Sequence, residues 1–284
     1  MLDISLIRAT SILGHSALCY DKYYFERSIR KTRIESDLQG GIEQNQLEFY
    51  YQIQVDHDRK PISAEALVRW NHPELGLLSP LEFIPIAEQS LLIVELGNHL
   101  LEMAFKQLLE WGQCDSTKHL TLSVNVTAKQ YGMPDFISTI TALLKKYPID
   151  ASKLTLELTE SIQVADVGCV TQKMHYLKDN YQIKLSLDDF GTGYSSLVYL
   201  KTMPFDEIKI DQSFIVNIAT SHKDAGLVKA IVALSKSYHF EVLAEGVETK
   251  AQFDYLREIG CHSFQGYLFS KPLPIDAFQA LLNQ

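Results

Sequence analysis

The chain has 284 residues, 46% hydrophobic and 21% charged, which is ample for one barrel-sized core and ordinary for a globular protein. A formal net charge of −9 would repel a polyanion, so a nucleic-acid polymer is not expected as a partner, whereas a small phosphate ligand held through cations is compatible. Cys19, Cys114, Cys169 and Cys261 form no CxxC pair, so neither a zinc site nor a disulfide framework is indicated, and reduced thiols in the cytoplasm are expected.

Residues 1–35, rich in Tyr, Arg and Lys, precede the first good strand and read as a flanking or linker segment. The N-terminus lacks the charged, apolar and small-residue succession of a secretory signal. Eight runs of strand length follow, at Leu47–Gln54, Ile62–Val68, Leu120–Val126, Leu154–Leu158, Ile183–Leu187, Glu207–Ile210, Glu241–Ala244 and Cys261–Gln265. Leu81–Leu108, the most apolar stretch, is interrupted by Glu82, Glu88, Glu95 and Glu102 at roughly helical spacing, which predicts amphipathic helix and no membrane contact within this chain. Pro134–Tyr147, Val170–Asn180, Ala225–Tyr238 and Ala251–Ile259 also carry helical spacing. Capping boxes are predicted at Ser79–Glu82, with Pro80 at the first helical position, and at Thr249–Gln252, with Gly260 ending the second helix. Alternating strands and helices over roughly 250 residues suggest a closed (β/α)8 barrel, with an open doubly wound sheet as the alternative.

A polar residue able to bind metal falls inside or at the end of nearly every strand. Glu65 follows Ile62-Ser63-Ala64, Asn125 and Glu157 lie within their strands, and Asp188-Asp189 end Leu185-Ser186-Leu187. Lys209 sits between Ile208 and Ile210, Glu245 follows Ala244, and Gln265 closes the series. Several acids converging on one barrel mouth need cations, because an ionised carboxylate buried alone costs several kcal/mol or changes its protonation. All-oxygen donors suit hard ions such as Mg²⁺, Mn²⁺ or Ca²⁺, and adjacent aspartates could bridge two of them. Each acid alone has a plainer reading: Asp189 as turn chemistry, Asp211 as a cap or a lysine partner, the others as rim salt bridges. Lys209 is harder to dismiss, because lysine is almost never buried unpaired.

From about residue 35 onward the sequence resembles the EAL domain family of bacterial phosphodiesterases that linearise cyclic di-GMP. The motifs are Glu65-Ala66-Leu67-Val68-Arg69-Trp70, Asn125-Val126, Glu157-Leu158-Thr159-Glu160-Ser161, Asp188 through Leu197, Lys209-Ile210-Asp211, Ala244-Glu245-Gly246-Val247-Glu248 and Gln265-Gly266-Tyr267. The resemblance implies a TIM-like (β/α)8 barrel of EAL type with an antiparallel first strand, residues 36–284 forming the phosphodiesterase domain. It implies that Glu65, Asn125, Glu157 and Asp188 hold one metal and Asp188, Asp189 and Glu245 a second, both Mg²⁺ or Mn²⁺, with Ca²⁺ inhibitory. Lys209 or Glu245 would activate water, with Glu65 counted in the catalytic set, and Glu160 would anchor the loop Asp189–Ser195, its plain alternative being a helix N-terminal acid. Gln52, Leu67, Arg69, Asp211, Glu248 and Gln265 would contact cyclic di-GMP, Arg69 reaching a phosphate unless a nearby acid holds it. Ile53 and His262 depart from the usual Pro and Asp.

Ala17-Leu18-Cys19-Tyr20-Asp21-Lys22 faintly resembles the last helix of a GGDEF cyclase domain, a generic linker helix being the alternative. The resemblance also implies a homodimer, an upstream regulatory domain and a cytoplasmic site that missing N-terminal domains could tether to a membrane. Two other functions are compatible with parts of the pattern: a catalytically silent cyclic di-GMP receptor, and a barrel enzyme stabilising an enolate on Mg²⁺. A phosphodiesterase built on His-Asp pairs is disfavoured, because His57-Asp58 stands alone in a polar turn.

Overall fold

Strand alternation decides which side of each strand meets which environment. The structure is a computed structural model and describes residues 22–159, 167–191 and 197–283. Its strands are β1 (Leu47–Asp56), β2 (Pro61–His72), β3 (Gly76–Leu78), β4 (Thr121–Val126), β5 (Leu154–Thr159), β6 (Lys184–Phe190), β7 (Glu207–Ile210), β8 (Glu241–Ala244), β9 (Ser263–Gln265) and β10 (Leu273–Pro274). Eight close a ring in the order β1-β2-β4-β5-β6-β7-β8-β9, and β3 and β10 pair outside it with β2 and β1. From β2 to β9 every neighbour is parallel, while β1 runs antiparallel to both β2 and β9 and so completes the barrel.

Parallel strands buried on both sides usually read as unbroken apolar runs, but these alternate. Leu122, Val124, Leu156, Leu158, Leu185, Leu187, Ile208, Ile210, Val242, Ala244 and Phe264 are all buried within the main apolar core, between the strands and the surrounding helices. Their in-between neighbours Ser123, Thr155, Glu157, Ser186, Lys209, Ser263 and Gln265 are also buried, on the opposite strand face that forms the lumen. The outer face carries the stability, at roughly 1.5–3 kcal/mol for each fully buried aliphatic side chain. A polar lumen leaves the other face available for chemistry.

The helices are α1 (Lys22–Glu43), α2 (Pro80–Ala87), α3 (Leu92–Gly112), α4 (Ala128–Gly132), α5 (Phe136–Lys146), α6 (Val167–Tyr181), α7 (Leu197–Thr202), α8 (Gln212–Ile215), α9 (His222–Tyr238), α10 (Lys250–Ile259) and α11 (Ile275–Leu282). On the outer side of β1, the Tyr51 ring lies 5.5 Å from Trp111 of α3 and 5.6 Å from Phe278 of α11, and its hydroxyl donates to Gln107 Oε1 at 2.7 Å. The α10 capping box forms as expected: the Thr249 hydroxyl accepts from Gln252 N, and Gln252 Oε1 accepts from Thr249 N at 2.8 Å. The box at Ser79 does not. Ser79 makes no side-chain cap, and Glu82 is drawn away by Arg30 of α1, whose guanidinium lies 2.7 Å from it. Among the boundaries that shift, the stretch Leu81–Leu108 divides between α2 and α3, β2 extends to Pro61–His72, and β9 begins at Ser263 and leaves Cys261 outside it.

Helix α1 runs unbroken through residue 35, and its Ile34 and Leu38 are buried in the core. Near its end, a Cβ on Gly41 would lie 2.8 Å from the Trp70 ring, so only glycine lets the helix approach β2 this closely. The Ala17–Lys22 motif falls outside the described residues except for Lys22.

Candidate metal centre

The lumen strands end on the same rim, and the structure gathers their charged side chains around one ammonium. Lys209 Nζ lies 2.7 Å from Glu157 Oε2, 2.9 Å from Glu245 Oε1, 3.1 Å from Asp188 Oδ1 and 3.6 Å from Glu65 Oε1. The lysine is 1% exposed, so this pairing is what keeps its charge in the protein interior. One positive charge then faces four carboxylates, and the cluster retains a formal excess of negative charge.

The protonation tendencies record that excess. Burial pushes Glu157 well above the usual carboxylate range, with the Glu65 charge adding to it and Lys209 opposing it. Burial raises Glu245 to about 8 despite the adjacent ammonium. Glu65 goes the other way: burial would raise it, but Lys209 and hydrogen bonds from Gln265 and Asn125 hold it below its ordinary value. Burial would lower Lys209, but Asp188, Glu157, Glu245 and Glu65 together lift it well above 10.5.

Divalent metal ions fit these residues. Glu157 Oε1 is buried and accepts no hydrogen bond among the described residues, an arrangement that costs free energy unless the oxygen carries a proton or a cation satisfies it. Asp188, Asp189 and Glu245 each offer an oxygen such that all three lie within 4.8 Å of one another. The donors are all carboxylate or amide oxygens, the chemistry of hard cations.

Local backbone geometry produces that convergence. Simple alternation would send Asp188 inward and Asp189 outward. The β6–β7 register shifts between Leu187 and Phe190, and Asp189 adopts a left-handed φ of 56°, which re-aims its side chain toward the rim. Burial, then the Asp188 charge, raises the Asp189 carboxyl. Opposite, Gly266 allows the segment after Glu245 to seat against β9: Val247 N donates to Gln265 O at 3.0 Å, and a Cβ on Gly266 would lie 2.2 Å from Val247 O.

Around this centre a polar network lines the β1 side of the lumen. Asn125 Nδ2 donates to Glu65 Oε1 at 2.9 Å, and Gln265 Nε2 donates to Glu65 Oε2 at 2.6 Å and to Gln52 Oε1 at 3.0 Å. Leu67 and Arg69 follow Glu65 on the same face of β2. Arg69 has no carboxylate at salt-bridge distance among the described residues; it donates to Val68 O at 2.8 Å and lies over the Tyr50 ring. Burial lowers its pKa. Asp211 caps α8, accepting from Ser213 N at 3.0 Å, which realises its plainer reading. Glu248 is exposed three residues beyond Glu245. Glu160 lies outside the described residues, as does the loop segment 192–196.

The two departures point away from the centre. Ile53 is buried opposite Ala64 on the helix-facing side of β1, between the inward Gln52 and Gln54. His262 precedes β9 at the far end of the barrel, its Nδ1 accepting from Val242 N at 3.0 Å. His57 and Asp58 are exposed in the β1–β2 turn. Gln54, Tyr50 and the bulge at Asp189 were missed from sequence; period-two spacing from Gln52 could have found Gln54, whereas nothing in the sequence marks the bulge.

A family model described as EAL domain matches residues 35–272. The chain is 37% identical over 276 residues to the Pseudomonas aeruginosa bifunctional diguanylate cyclase/cyclic di-GMP phosphodiesterase MucR, covering 94% of this chain and 39% of that protein. It is 36% identical over 270 residues to the cyclic di-GMP phosphodiesterase NbdA of the same organism, covering 95% of this chain and 34% of the relative. It therefore spans well under half the length of either. Among solved structures, a MucR phosphodiesterase in complex with cyclic di-GMP superposes with a TM-score of 0.82 at 37% identity, covering 87% of this chain and 99% of that one.

Proposed function

Because the chain belongs to the EAL domain family, we propose that it is a divalent-metal phosphodiesterase that hydrolyses cyclic di-GMP to linear 5′-phosphoguanylyl-guanosine, lowering that second messenger in bacterial control of biofilm and motility. The observation that carries this reading is the convergence of Glu65, Glu157, Asp188 and Glu245 on Lys209, with one buried Glu157 oxygen left unpaired. Asn125, Asp189 and Gln265 stand beside these carboxylates and support the same reading. A receptor that only binds the nucleotide would have no use for so costly an arrangement.

In this reading Glu65, Asn125, Glu157 and Asp188 would hold one ion, and Asp188, Asp189 and Glu245 would hold another. Two ions of Mg²⁺ or Mn²⁺ would supply charge neutralisation, polarisation of the phosphoryl oxygens and a lowered pKa for water. Ca²⁺, with its larger and looser shell, would bind and support little turnover. Lys209 or Glu245, 2.9 Å apart, would orient or activate the attacking water, the ammonium by donating to it or the carboxylate by accepting from it. Arg69, free of a carboxylate partner among the described residues, offers its guanidinium fork to a phosphate of the substrate. Gln52, Leu67 and Gln265 line the same side of the mouth, with Asp211 and Glu248 at its rim. The same reading, from the family resemblance, gives Glu160, outside the described residues, the role of loop anchor and adds a homodimer and an upstream regulatory domain.

The test is incubation with cyclic di-GMP and Mn²⁺ followed by chromatography. The linear dinucleotide is the expected product. Tight nucleotide binding with no product at stoichiometric enzyme would replace the phosphodiesterase by a receptor.

A further inference from the structure

The geometry points to Gln54 as a positioning residue that fixes the Glu65 carboxylate for metal through the amide of Gln265. This rests on the phosphodiesterase reading and adds to it a residue that touches neither a metal donor nor the substrate.

The hydrogen-bond polarity of the network is set from its two ends. Ser270 O can only accept, so Gln52 turns its Nε2 toward it, at 3.1 Å, and is left to present Oε1 to Gln265. The Glu65 carboxylate can likewise only accept. Gln265 must then direct both Nε2 hydrogens outward, one to Gln52 and one to Glu65. That orientation leaves Gln265 Oε1 facing β1, where it needs a donor. Gln54 Nε2 supplies it at 2.8 Å, from a side chain only 2% exposed.

The placement follows from strand pairing. Gln52 is the register partner of Glu65 on β2, and Gln54 is the partner of Gln265 on β9, so the antiparallel strand that closes the barrel also joins its two seams through one chain of amides. Without the Gln54 donor, Gln265 Oε1 is left buried and unpaired, and the side chain can shift toward another donor, drawing Nε2 away from the carboxylate it now holds. That shift would weaken the 2.6 Å bond and release Glu65 from its orientation. Partners that orient ligands in this way commonly change metal affinity by 10–100-fold.

The experiment uses the whole chain and Mn²⁺ as probe. Gln54→Met keeps the side-chain length and removes the donor. Titration calorimetry should show Mn²⁺ binding weakened by about tenfold, and half-maximal activation of hydrolysis should move to higher Mn²⁺ by the same factor. KM for cyclic di-GMP at saturating Mn²⁺ should stay near the wild-type value. A lower melting temperature with unchanged Mn²⁺ affinity would mean that Gln54 only fills the lumen, and would overturn the inference. Should the variant not fold, side-chain amide NMR of the wild type decides: the Gln54 Nε2 proton donated to Gln265 Oε1 should be protected from exchange with water, and free exchange of it would refute the lock. A wild-type protein without Mn²⁺-dependent hydrolysis would sink the parent reading itself, an outcome separate from the Gln54 comparison.

Discussion

The two faces of the same strands have opposite energetics. On the outer face, Leu122, Leu156, Leu187 and Val242 meet apolar helices, and each contact favours folding. On the inner face, one or two residues away, Glu157, Asp188 and Glu245 crowd a single lysine, and burial raises Glu157 and Glu245. The fold is held from outside the barrel, which allows its lumen to carry an arrangement that is unfavourable until cations arrive.

Substitutions on neighbouring residues should separate the faces. Asp188→Ala should lower turnover by about a thousandfold or more, since about 4 kcal/mol of transition-state stabilisation corresponds to that factor, with the chain still folded by circular dichroism. Near wild-type turnover would remove Asp188 from the metal donors. Leu156→Ala should do the reverse: a loss of about 2–5 kcal/mol in denaturant unfolding, with activity per folded molecule unchanged. If Leu156→Ala abolished turnover while leaving stability intact, the division between faces would be wrong.

Alternation along β4, β5 and β6 was visible in the sequence, and with it the inward set of Asn125, Glu157 and Asp188. So were the alternating elements and the α10 cap. Less legible were features decided by distant contacts. Ser79 lost its predicted box because Arg30, 52 residues from Glu82, claims that carboxylate. Asp189 joins the rim through a backbone bulge, which side-chain identity does not encode. Gln54 looked like any polar strand residue until β9 was paired with β1.

The contrast between faces also predicts a pH response. Burial raises the Glu245 carboxyl to about 8 in the folded metal-free chain, so between its unfolded value near 4.5 and 8 the folded state binds more protons than the unfolded one. Metal-free stability should therefore fall as pH rises through that window. Mn²⁺ binding through Glu245 would displace that proton, so its affinity should climb by about tenfold or more per pH unit from pH 6 to 8, with the raised Glu157 adding to the slope. A flat profile over that range would show that no carboxyl at the mouth is raised.

The smallest effect belongs to an ordinary ion pair outside the barrel. Hydrogen bonds from Lys146, and then Tyr147, at the C-terminal end of α5 lower Glu102 of α3 to about 2. A depressed carboxyl stabilises fully above its unfolded value near 4.5 and loses that contribution as pH falls toward 2. Glu102→Gln should cost about 1 kcal/mol at pH 7 after allowance for solvent screening, and nothing near pH 2, by thermal melts. An equal loss at both pH values would mean that packing, not charge, holds this seam.

The central claim is that the inner face is completed by metal. Anomalous diffraction from crystals grown with Mn²⁺ tests it most directly. Two peaks roughly 3.5–4 Å apart are predicted, one within ligand distance of Glu65, Glu157 and Asp188 and the other of Asp188, Asp189 and Glu245. Well-ordered density for these side chains around Lys209 with no anomalous peak at millimolar Mn²⁺ would contradict it.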